Sequence, residues 1–430
     1  MPVSGKRYSL LQHVMCLDGK SPVIPHWPHR RPLEYILKNI TSQVNFIIMR
    51  AQIFQYYKEL TLILSSFLLF NFTSFAQNSN IDRKADNNIK SEINTQIRVI
   101  ISSDIPPLDV IPGKAVKPGD PPEKCSDPDD VQSMVRLLLY SNDLEIEGLI
   151  ASSGTFANIA RKQNILDMLS LYEIVQPNLA KHDSRYPTAH YFRSVTWQGL
   201  DGSYGTERFD GKTKLIEDLI GKGKETEASE GIIKVVDEKD DRPVWVCVWG
   251  GSREIAQAIW TVQNTRSAKE FSHFISKLRI YLIAKQDGTA DWLLNNHPDL
   301  FIILSENNYM GMFYVIDSNN LAIADLTWIE KNIRNNHGPL GAVYPRSGWD
   351  PSTPGVMEGD TPSFLHLVSA LRGINNPETP QQGGWGGRFI CPDPNKNHWY
   401  DDSSIGTKAV YMWRNDVQKE FEERADWMIP

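Results

Sequence analysis

The sequence has no excess of basic residues and no long apolar run, and each absence excludes a class of protein. Its formal net charge is -7 at pH 7, whereas a nucleic-acid-binding protein normally carries a basic surface. We therefore expect no nucleic acid partner. The longest apolar run, Leu60–Phe70, is shorter than the about 20 residues that a membrane-spanning helix needs. We therefore expect no stable insertion into a membrane.

Cysteine is also scarce, and its spacing is not that of a metal site. Downstream of the apolar run the chain has only Cys125, Cys247 and Cys391. Cys247 lies within the apolar segment Val244–Trp249, so we expect a small buried side chain there. Cys125 and Cys391 could form a disulfide in an oxidising compartment, and the sequence leaves this open.

The apolar run Leu60–Phe70 is typical of a secretory signal peptide, provided that translation begins at Met49. Arg50 and Lys58 then precede the run, and a small-x-small segment that suits signal peptidase ends at Ala76. The mature protein would be secreted or periplasmic. A membrane anchor with a cytoplasmic tail is the alternative, which the shortness of the run disfavours.

This segment sets the predicted domain organisation. Residues 1–48 are expected to be a non-native or disordered extension, and residues 49–76 the signal peptide. The polar, non-periodic residues 77–95 are expected to be a flexible linker. Residues 96–430 would form one domain, and a composition of 41% hydrophobic residues provides enough apolar material for a large core.

Strand-like and helix-like segments alternate along that domain. Ile97–Ser103 is rich in β-branched residues, and Val131–Tyr140 has apolar residues at helical spacing. Strands that are apolar throughout, alternating with amphipathic helices, indicate an α/β fold with a mostly parallel sheet and helices on both faces. Further strands are predicted at Ile146–Ser152, Val244–Trp249, Leu278–Ala284 and Leu300–Leu304, and further helices at about Ile159–Tyr172, Glu254–Val262 and Pro362–Leu371.

Aspartates follow the first predicted strand and open the first predicted helix. Asp104 ends the strand, and Asp127, Asp129 and Asp130 lie at the start of the helix. These carboxylates should converge at the carboxyl edge of a parallel sheet, where ligands bind. Carboxylates packed together repel one another unless they are protonated or bridged, and oxygen ligands suit Ca²⁺ or Mg²⁺. The alternative is that Asp127 and Asp129 only cap the helix.

Several segments resemble nucleoside hydrolases. The opening of that fold is similar to Ile100–Asp104, Ser126–Asp130 and Glu147–Ser152. Closer still is the nucleoside-hydrolase-like domain of Sde182-type cellulose-binding proteins, which the chain also resembles at Glu358–Phe364 and Trp385–Phe389. The resemblance extends from about residue 97 to the C-terminus, and it implies a nucleoside-hydrolase-like α/β fold.

The resemblance also implies a cation and a reaction. In nucleoside hydrolases three aspartates hold Ca²⁺, and they correspond here to Asp104, Asp130 and Asp360; Mg²⁺ is an alternative ion. Asp104 would also be the catalytic base that takes a proton from a water activated by the cation. The implied activity is hydrolysis of an N-glycosidic bond in a nucleoside or related glycoside, with water attacking the anomeric carbon.

The expected ligand is therefore a small nucleoside or sugar. The resemblance assigns a ribose hydroxyl to Asp129, a sugar contact to Asn308 of a Glu-x-Asn element, and Thr155 to a position where the family usually has a ribose-binding Asn. Trp385 is flanked by a pair of glycines on each side, which suggests an exposed turn. Its ring could stack on a sugar or base. Tyr309 is a further aromatic residue expected near the mouth of the site.

Two features depart from the nucleoside hydrolase pattern. The insertion Pro106–Cys125 could be a compact loop whose ends stay close, or it could cover the site. Gly359 stands where many nucleoside hydrolases have a His that helps the base depart, so no leaving-group acid is assigned. The alternative function is a catalytically inactive carbohydrate-binding protein on the same scaffold. Nucleoside hydrolases are commonly oligomers, so a homo-oligomer also stays open.

Overall fold

The computed structural model describes residues 96–113, 121, 124–203 and 213–430. The predicted extension, signal peptide and linker, residues 1–95, lie outside the described residues. The strands of the described part are β1 (Ile97–Ser103), β2 (Ile111–Pro112), β3 (Cys125–Ser126), β4 (Leu144–Ala151), β5 (Thr196–Gln198), β6 (Val244–Val248), β7 (Leu278–Ile283), β8 (Phe301–Ser305), β9 (Phe389–Ile390) and β10 (His398–Asp401).

Helices lie between and after these strands. The α-helices of the described part are α1 (Asp129–Leu139), α2 (Lys162–His182), α3 (Ala189–Ser194), α4 (Ile216–Leu219), α5 (Glu227–Val236), α6 (Arg253–Thr265), α7 (Ala268–Lys277), α8 (Gly288–Asn296), α9 (Leu326–Ile329), α10 (Gly338–Ala342), α11 (Thr361–Leu371), α12 (Lys408–Tyr411) and α13 (Arg414–Asp426). Within the described residues no helix is both long enough and apolar enough to cross a membrane.

Eight of the described strands form one central sheet in the order β5-β4-β1-β6-β7-β8-β10-β9. Neighbouring strands pair in parallel, except for β10 and β9, which are antiparallel. The predicted α/β fold with a mostly parallel sheet is therefore confirmed. Strand β1 lies between β4 and β6, so the strand order reverses beside it. In such sheets the crevice beyond the carboxyl ends of the strands at this reversal is the usual ligand site.

Apolar cores cover both faces of the sheet. Alternate residues of a strand point to opposite faces, so Val99 and Ile101 of β1 pack with α1, whereas Ile100 packs with α5 and α6. The same alternation places Cys247 of β6 in the first core, fully buried, as the sequence predicted. Burial on both faces explains why the central strands are apolar throughout.

No disulfide joins any two of the three cysteines of the described residues. The disulfide considered for Cys125 and Cys391 is therefore not formed. Cys125 is buried in β3, where its thiol donates to the carbonyl oxygen of Pro121 at 3.3 Å. The thiol of Cys391 contacts the carbonyl oxygen of Lys396 at 3.2 Å. Each thiol thus has its own local acceptor.

The insertion after β1 has its two ends held together. Strands β2 and β3 pair in parallel, with Ile111 opposite Cys125 and Pro112 opposite Ser126. The amide of Gly113 also donates to the carbonyl oxygen of Ser126 at 3.0 Å. The inserted chain therefore returns to the start of α1, as expected of a loop whose ends stay close. Residues 114–120 and 122–123 lie outside the described residues.

Candidate functional site

Three carboxylates meet where α1 and α11 begin. Asp129 and Asp130 open α1, and Asp360 directly precedes α11. One carboxylate oxygen from each lies within 4.8 Å of the other two. Both helices point their N-termini at this trio, and the partial positive charge of a helix N-terminus favours anionic groups. The resemblance to nucleoside hydrolases assigned Asp104, rather than Asp129, to a cation together with Asp130 and Asp360.

Asp104 borders this trio at the end of β1. Its Oδ2 accepts a hydrogen bond from the amide of Ala157 at 3.1 Å. Glycines on the loops after β4 and β6 enclose the carboxylate: a Cβ at Gly154 would lie 2.5 Å from Asp104 Oδ2, and one at Gly250 would lie 2.6 Å from Oδ1. The loops after the two strands beside β1 thus hold Asp104 closely. The four aspartates, Asp104, Asp129, Asp130 and Asp360, are called the aspartate cluster below.

Burial and mutual repulsion dominate the electrostatics of the cluster. Burial, with repulsion from neighbouring carboxylates that include Asp104, raises the pKa of Asp129, of Asp130 and of Asp360 well above the ordinary value. Burial also raises the pKa of the neighbouring Asp127 to about 6. The carboxyls therefore resist carrying four negative charges together unless protons or a cation compensate them.

Hydrogen bonds orient part of the cluster. The hydroxyl of Ser103 donates to Asp130 Oδ1 at 2.5 Å, and the amide of Asp130 donates to Asp129 Oδ1 at 3.0 Å. Asp127 Oδ1 accepts the amide of Asp129, the first residue of α1, at 3.2 Å. Asp360, by contrast, makes no capping hydrogen bond at the start of α11.

Asp360 is the member of the cluster that most clearly lacks compensation. Its side chain is 2% exposed, and its Oδ2 has no hydrogen-bond partner among the described residues. A buried carboxylate oxygen without a partner is costly unless the group is protonated or bound to a cation. Several carboxylate oxygens within a few ångströms are the kind of donor set that Ca²⁺ and Mg²⁺ prefer. The residues present therefore fit a divalent cation.

Thr155 and Asn308, two of the predicted sugar ligands, already have local contacts. Thr155 follows Gly154, and its hydroxyl donates to the carbonyl oxygen of Gln286 at 3.1 Å. Asn308 is fully buried, and its Nδ2 donates to the carbonyl oxygen of Arg388 at 2.9 Å. The Oδ1 atom of Asn308 has no hydrogen-bond partner among the described residues, so one acceptor of that side chain stays open.

Trp385 is not presented in an exposed turn, and that expectation is wrong. Its side chain is 4% exposed and belongs to the core beside α1. It lines a cavity together with side chains of α13 and the following residue Trp427, and none of the cluster aspartates lines that cavity. The glycines next to Trp385 serve close packing instead, because a Cβ at Gly386 would lie 2.4 Å from the carbonyl oxygen of Pro362. Its position gives no support to a ligand contact.

Tyr309 lies against the cluster and was expected only in general terms. A Cβ at Gly359 would lie 2.7 Å from Asp129 Oδ2 and 3.4 Å from Tyr309 Cδ2. The glycine therefore lets the tyrosine ring and Asp129 approach the same point. Burial, followed by repulsion from Asp129 and Asp360, raises the pKa of Tyr309, so its hydroxyl stays protonated. The feature of the sequence that relates to this contact is Gly359, which directly precedes Asp360 and leaves room for the tyrosine ring.

An aromatic pair beside the cluster was missed at the sequence level. The rings of Phe156 and Trp349 meet edge to face, with centroids 5.2 Å apart and an interplanar angle of 68°. Phe156 precedes Ala157, whose amide binds Asp104, and the amide of Trp349 hydrogen-bonds to Asp127. The pair thus joins two loops that hold the aspartates. No local pattern links residues so far apart in the sequence.

Comparison with known proteins agrees with this architecture. The family described as "Cellulose-binding Sde182, nucleoside hydrolase-like domain" matches residues 123–389. A solved structure from Saccharophagus degradans is 32% identical, covers 78% of this chain and 72% of its own, and superposes with a TM-score of 0.60. It is a nucleoside hydrolase-related hypothetical protein that is associated with carbohydrate metabolism. No curated protein matches the chain significantly. The chain therefore belongs to the family of the nucleoside-hydrolase-like domain of the cellulose-binding protein Sde182.

Proposed function

We propose that the protein is an exported, divalent-cation-dependent hydrolase of an N-glycosidic bond in a nucleoside or related glycoside. The observation that carries this proposal is the convergence of four aspartates at the strand reversal, with Asp360 Oδ2 buried and unpartnered. Membership of a nucleoside-hydrolase-like family supports it. Asp104, Asp130 and Asp360 would hold Ca²⁺, with Mg²⁺ as the alternative ion.

The cation and the aspartates have separate tasks in this proposal. When bound, a divalent cation supplies positive charge that offsets the carboxylates, orients a ligand diol and increases the acidity of water. Asp104 accepts a proton from the attacking water, because its buried carboxylate is held in place by the Ala157 amide and two glycine-lined loops. Asp129 is partly exposed, and it accepts a hydrogen bond from a hydroxyl of the sugar.

The reaction breaks one bond and forms another at the anomeric carbon. The water oxygen bonds to this carbon, its proton passes to Asp104, and the C–N bond breaks with its electron pair going to the leaving nitrogen. Positive charge develops on the sugar in the transition state, and the surrounding carboxylates stabilise it. Tyr309 contributes a neutral O–H beside Asp129 and Asp360 that donates a hydrogen bond to the bound ligand.

Replacement of Asp104 by Asn tests the catalytic assignment directly. The substitution keeps the shape of the side chain and removes the base, so hydrolysis of a panel of nucleosides in Ca²⁺ should fall by about 10³-fold or more, within the usual range for general acid–base catalysis and charge stabilisation. Asp291→Asn is a matched control, because Asp291 is an exposed aspartate paired with Lys285. Turnover equal to that of the wild type in Asp104→Asn would remove the base from the proposal.

A carbohydrate-binding protein without catalysis is the second candidate. The family description and the association of the solved relative with carbohydrate metabolism favour it. The glycine at position 359, where a leaving-group acid is expected, also favours it. Under this reading cello-oligosaccharides bind to the protein, while neither a base nor a reducing sugar is released from any glycoside of the panel.

Export is tested by expressing the gene from Met49 in a bacterial host. If Leu60–Phe70 is part of a signal peptide, the protein should accumulate in the periplasm or medium, and N-terminal sequencing should begin at Gln77. Intact protein retained in the cytoplasm would contradict export. Size-exclusion chromatography with light scattering of the same material would determine whether a homo-oligomer forms.

A further inference from the structure

A fully buried ion pair joins the two chain segments that bring the trio of carboxylates together. Arg136 lies on α1, and Glu358 lies two residues before Asp360. The guanidinium contacts the carboxylate through two hydrogen bonds, from Nε to Oε2 at 2.5 Å and from Nη2 to Oε1 at 3.0 Å. Both side chains have no exposed surface. Neither group can therefore touch a ligand.

Hydrogen bonds from other elements complete the surroundings of Glu358. The hydroxyl of Tyr344 donates to Oε1 at 2.5 Å, and the hydroxyl of Thr361 donates to Oε2 at 2.8 Å. Thr361 is the first residue of α11, directly after Asp360. A carboxylate that accepts this many hydrogen bonds has a single orientation, so the segment from Glu358 to Thr361 has little freedom to move.

The guanidinium of Arg136 is fixed from its other side by α13. Its Nη2 donates to Gln418 Oε1 at 2.6 Å, and its Nη1 donates to the carbonyl oxygen of Val417 at 3.3 Å. The ring of Phe421 lies 3.7 Å from the guanidinium carbon, a cation–π contact. The C-terminal helix thus sets the position of Arg136, which in turn sets the position of Glu358.

The position of this pair matters because the carboxylates that it brings together repel one another. Arg136 is about 1.7 helical turns from Asp130, and Glu358 is close to Asp360 in the chain. A bidentate arginine–carboxylate contact fixes both distance and orientation. It therefore opposes the tendency of the loop before α11 to carry Asp360 away from Asp129 and Asp130.

We propose that the Arg136–Glu358 pair is a positioning device that sets the cation affinity of the aspartate cluster. The inference rests on the proposed function in one respect, namely that the cluster binds a divalent cation. Beyond that, α13 controls the cation affinity without lining the site, because Gln418 and Phe421 hold Arg136 in position. No part of α13 needs to contact the cation for this effect.

The chain provides a matched control for this pair. Arg98 on β1 is likewise fully buried, and it contacts Glu147 on β4 through two hydrogen bonds, from Nε to Oε2 at 2.8 Å and from Nη2 to Oε1 at 3.0 Å. Arg98 lies near the start of β1, whereas Asp104 follows the end of that strand. The two ion pairs thus share a fully buried arginine and a bidentate contact with a glutamate, but they differ in their distance from the cluster. Glu147 is 11% exposed, and Arg98 also contacts Glu238 at 3.3 Å.

The experiment compares two double variants, Arg136→Met with Glu358→Leu and Arg98→Met with Glu147→Leu. Replacing both partners of a buried pair by apolar residues avoids a buried unpaired charge and is often tolerated. Ca²⁺ affinity is measured by calorimetric titration of the chelator-treated protein, and Tm is measured without Ca²⁺. We expect Ca²⁺ to bind at least about tenfold more weakly when the Arg136 pair is replaced, and with unchanged affinity when the Arg98 pair is replaced.

The outcomes separate the positioning role from the cation site itself. A folded Arg136→Met, Glu358→Leu protein that binds Ca²⁺ as tightly as the wild type would overturn the positioning role while leaving the cation site intact. Equal loss of affinity in both double variants would also overturn it, because the effect would then follow general destabilisation. If the first double variant does not fold, Arg136→Lys decides, since it keeps the charge but not the bidentate contact. A wild type that binds no Ca²⁺ would instead contradict the proposed function.

Discussion

Asp360 Oδ2 is buried without a hydrogen-bond partner among the described residues, and this single atom links stability to the state of the site. Burial and the neighbouring aspartates raise the pKa of Asp360 well above its ordinary value. The folded protein without cation therefore binds more protons at the cluster than the unfolded chain does. Stability then falls as pH rises, because deprotonation leaves negative charges buried together.

The raised pKa of Asp360 predicts how Asp360→Asn changes the stability of the fold. In chelator the amide removes one buried charge, so the variant should be more stable than the wild type at pH 7, by about 1 kcal/mol or more. The difference should shrink as pH falls and the wild-type carboxyls take up protons. In saturating Ca²⁺ the order should reverse, since the wild type binds Ca²⁺ more tightly and gains more stability from it. Thermal unfolding across pH, with and without Ca²⁺, provides the measurement, and a variant less stable in chelator at every pH would contradict the account.

Tyr309→Phe tests the neutral donor beside the cluster. The substitution keeps the ring that packs against Phe313, with centroids 6.0 Å apart, and removes only the hydroxyl. We expect kcat/KM for nucleoside hydrolysis to fall by about tenfold to a hundredfold, which is the usual effect of losing one hydrogen bond to a group that is charged or becomes charged in the transition state. Ca²⁺ affinity should not change. Tyr400→Phe is the control, because that tyrosine lies on β10 and not against Gly359; equal effects of both substitutions would remove the special role of Tyr309.

The aspartates could be predicted from sequence because each of them directly follows a strand or opens a helix. The pattern of a strand followed by a helix was enough to predict Asp104 and Asp130, whereas the prediction of Asp360 depended on the family resemblance. The exposure of Trp385 was predicted wrongly because its burial depends on α13, a helix that is distant in sequence and packs beside it in the fold. The meeting of Phe156 with Trp349 is likewise a tertiary contact with no local signal.

At the scale of elements, the edge of the sheet positions the loop after β8. Asp401 ends β10, and its Oδ2 accepts the backbone amides of Glu306, Asn307 and Asn308 at 2.8, 2.6 and 3.2 Å. The hydroxyl of Ser305, the last residue of β8, donates to the other carboxylate oxygen at 3.1 Å. One side chain therefore shapes the turn that leads into Tyr309.

Asp401→Ala should therefore loosen this turn. Several backbone amides lose an acceptor, so we expect a loss of about 1–3 kcal/mol in the free energy of unfolding. Ligand affinity should fall with it, because the turn carries Asn308 and Tyr309, whereas Ca²⁺ affinity should stay within about twofold of the wild-type value. Denaturant unfolding and calorimetry measure the two effects. The control is Asp393→Ala, which removes a carboxylate that accepts the amide of Asn395 in a surface turn. If Asp393→Ala and Asp401→Ala lose ligand affinity to a comparable extent, the role of Asp401 is refuted.

The central strands could be predicted from the sequence, whereas the edge strands could not. Strand β1 spans Ile97–Ser103 as expected, because burial on both faces requires a continuous apolar run. Strand β10 was missed, since His398–Asp401 has only four residues, includes no aliphatic residue and is defined by its pairing with β8. Helix α2 was expected to end near Tyr172 but continues to His182 past Pro177. A proline usually ends a helix, and here the helix tolerates it.

At the scale of the whole molecule, the sheet and the C-terminal helix act on the same site from different sides. The strand reversal beside β1 brings Asp104 to the carboxyl edge of the sheet, and α1 and α11 add the other three aspartates. Helix α13 then supports α1 through Arg136. The cluster therefore depends on segments that are distant in sequence, and cation binding should couple to global stability.

Calorimetric titration of Ca²⁺ into the chelator-treated protein tests the central claim most directly. The wild type should bind one Ca²⁺ per chain, and Asp130→Asn and Asp360→Asn should each weaken binding by about 100-fold or more, because each removes a charged oxygen ligand. Asp291→Asn should bind as the wild type does. A wild type that takes up no Ca²⁺ and no Mg²⁺ would contradict the cation-dependent site, and the carbohydrate-binding function without catalysis would then be the better account.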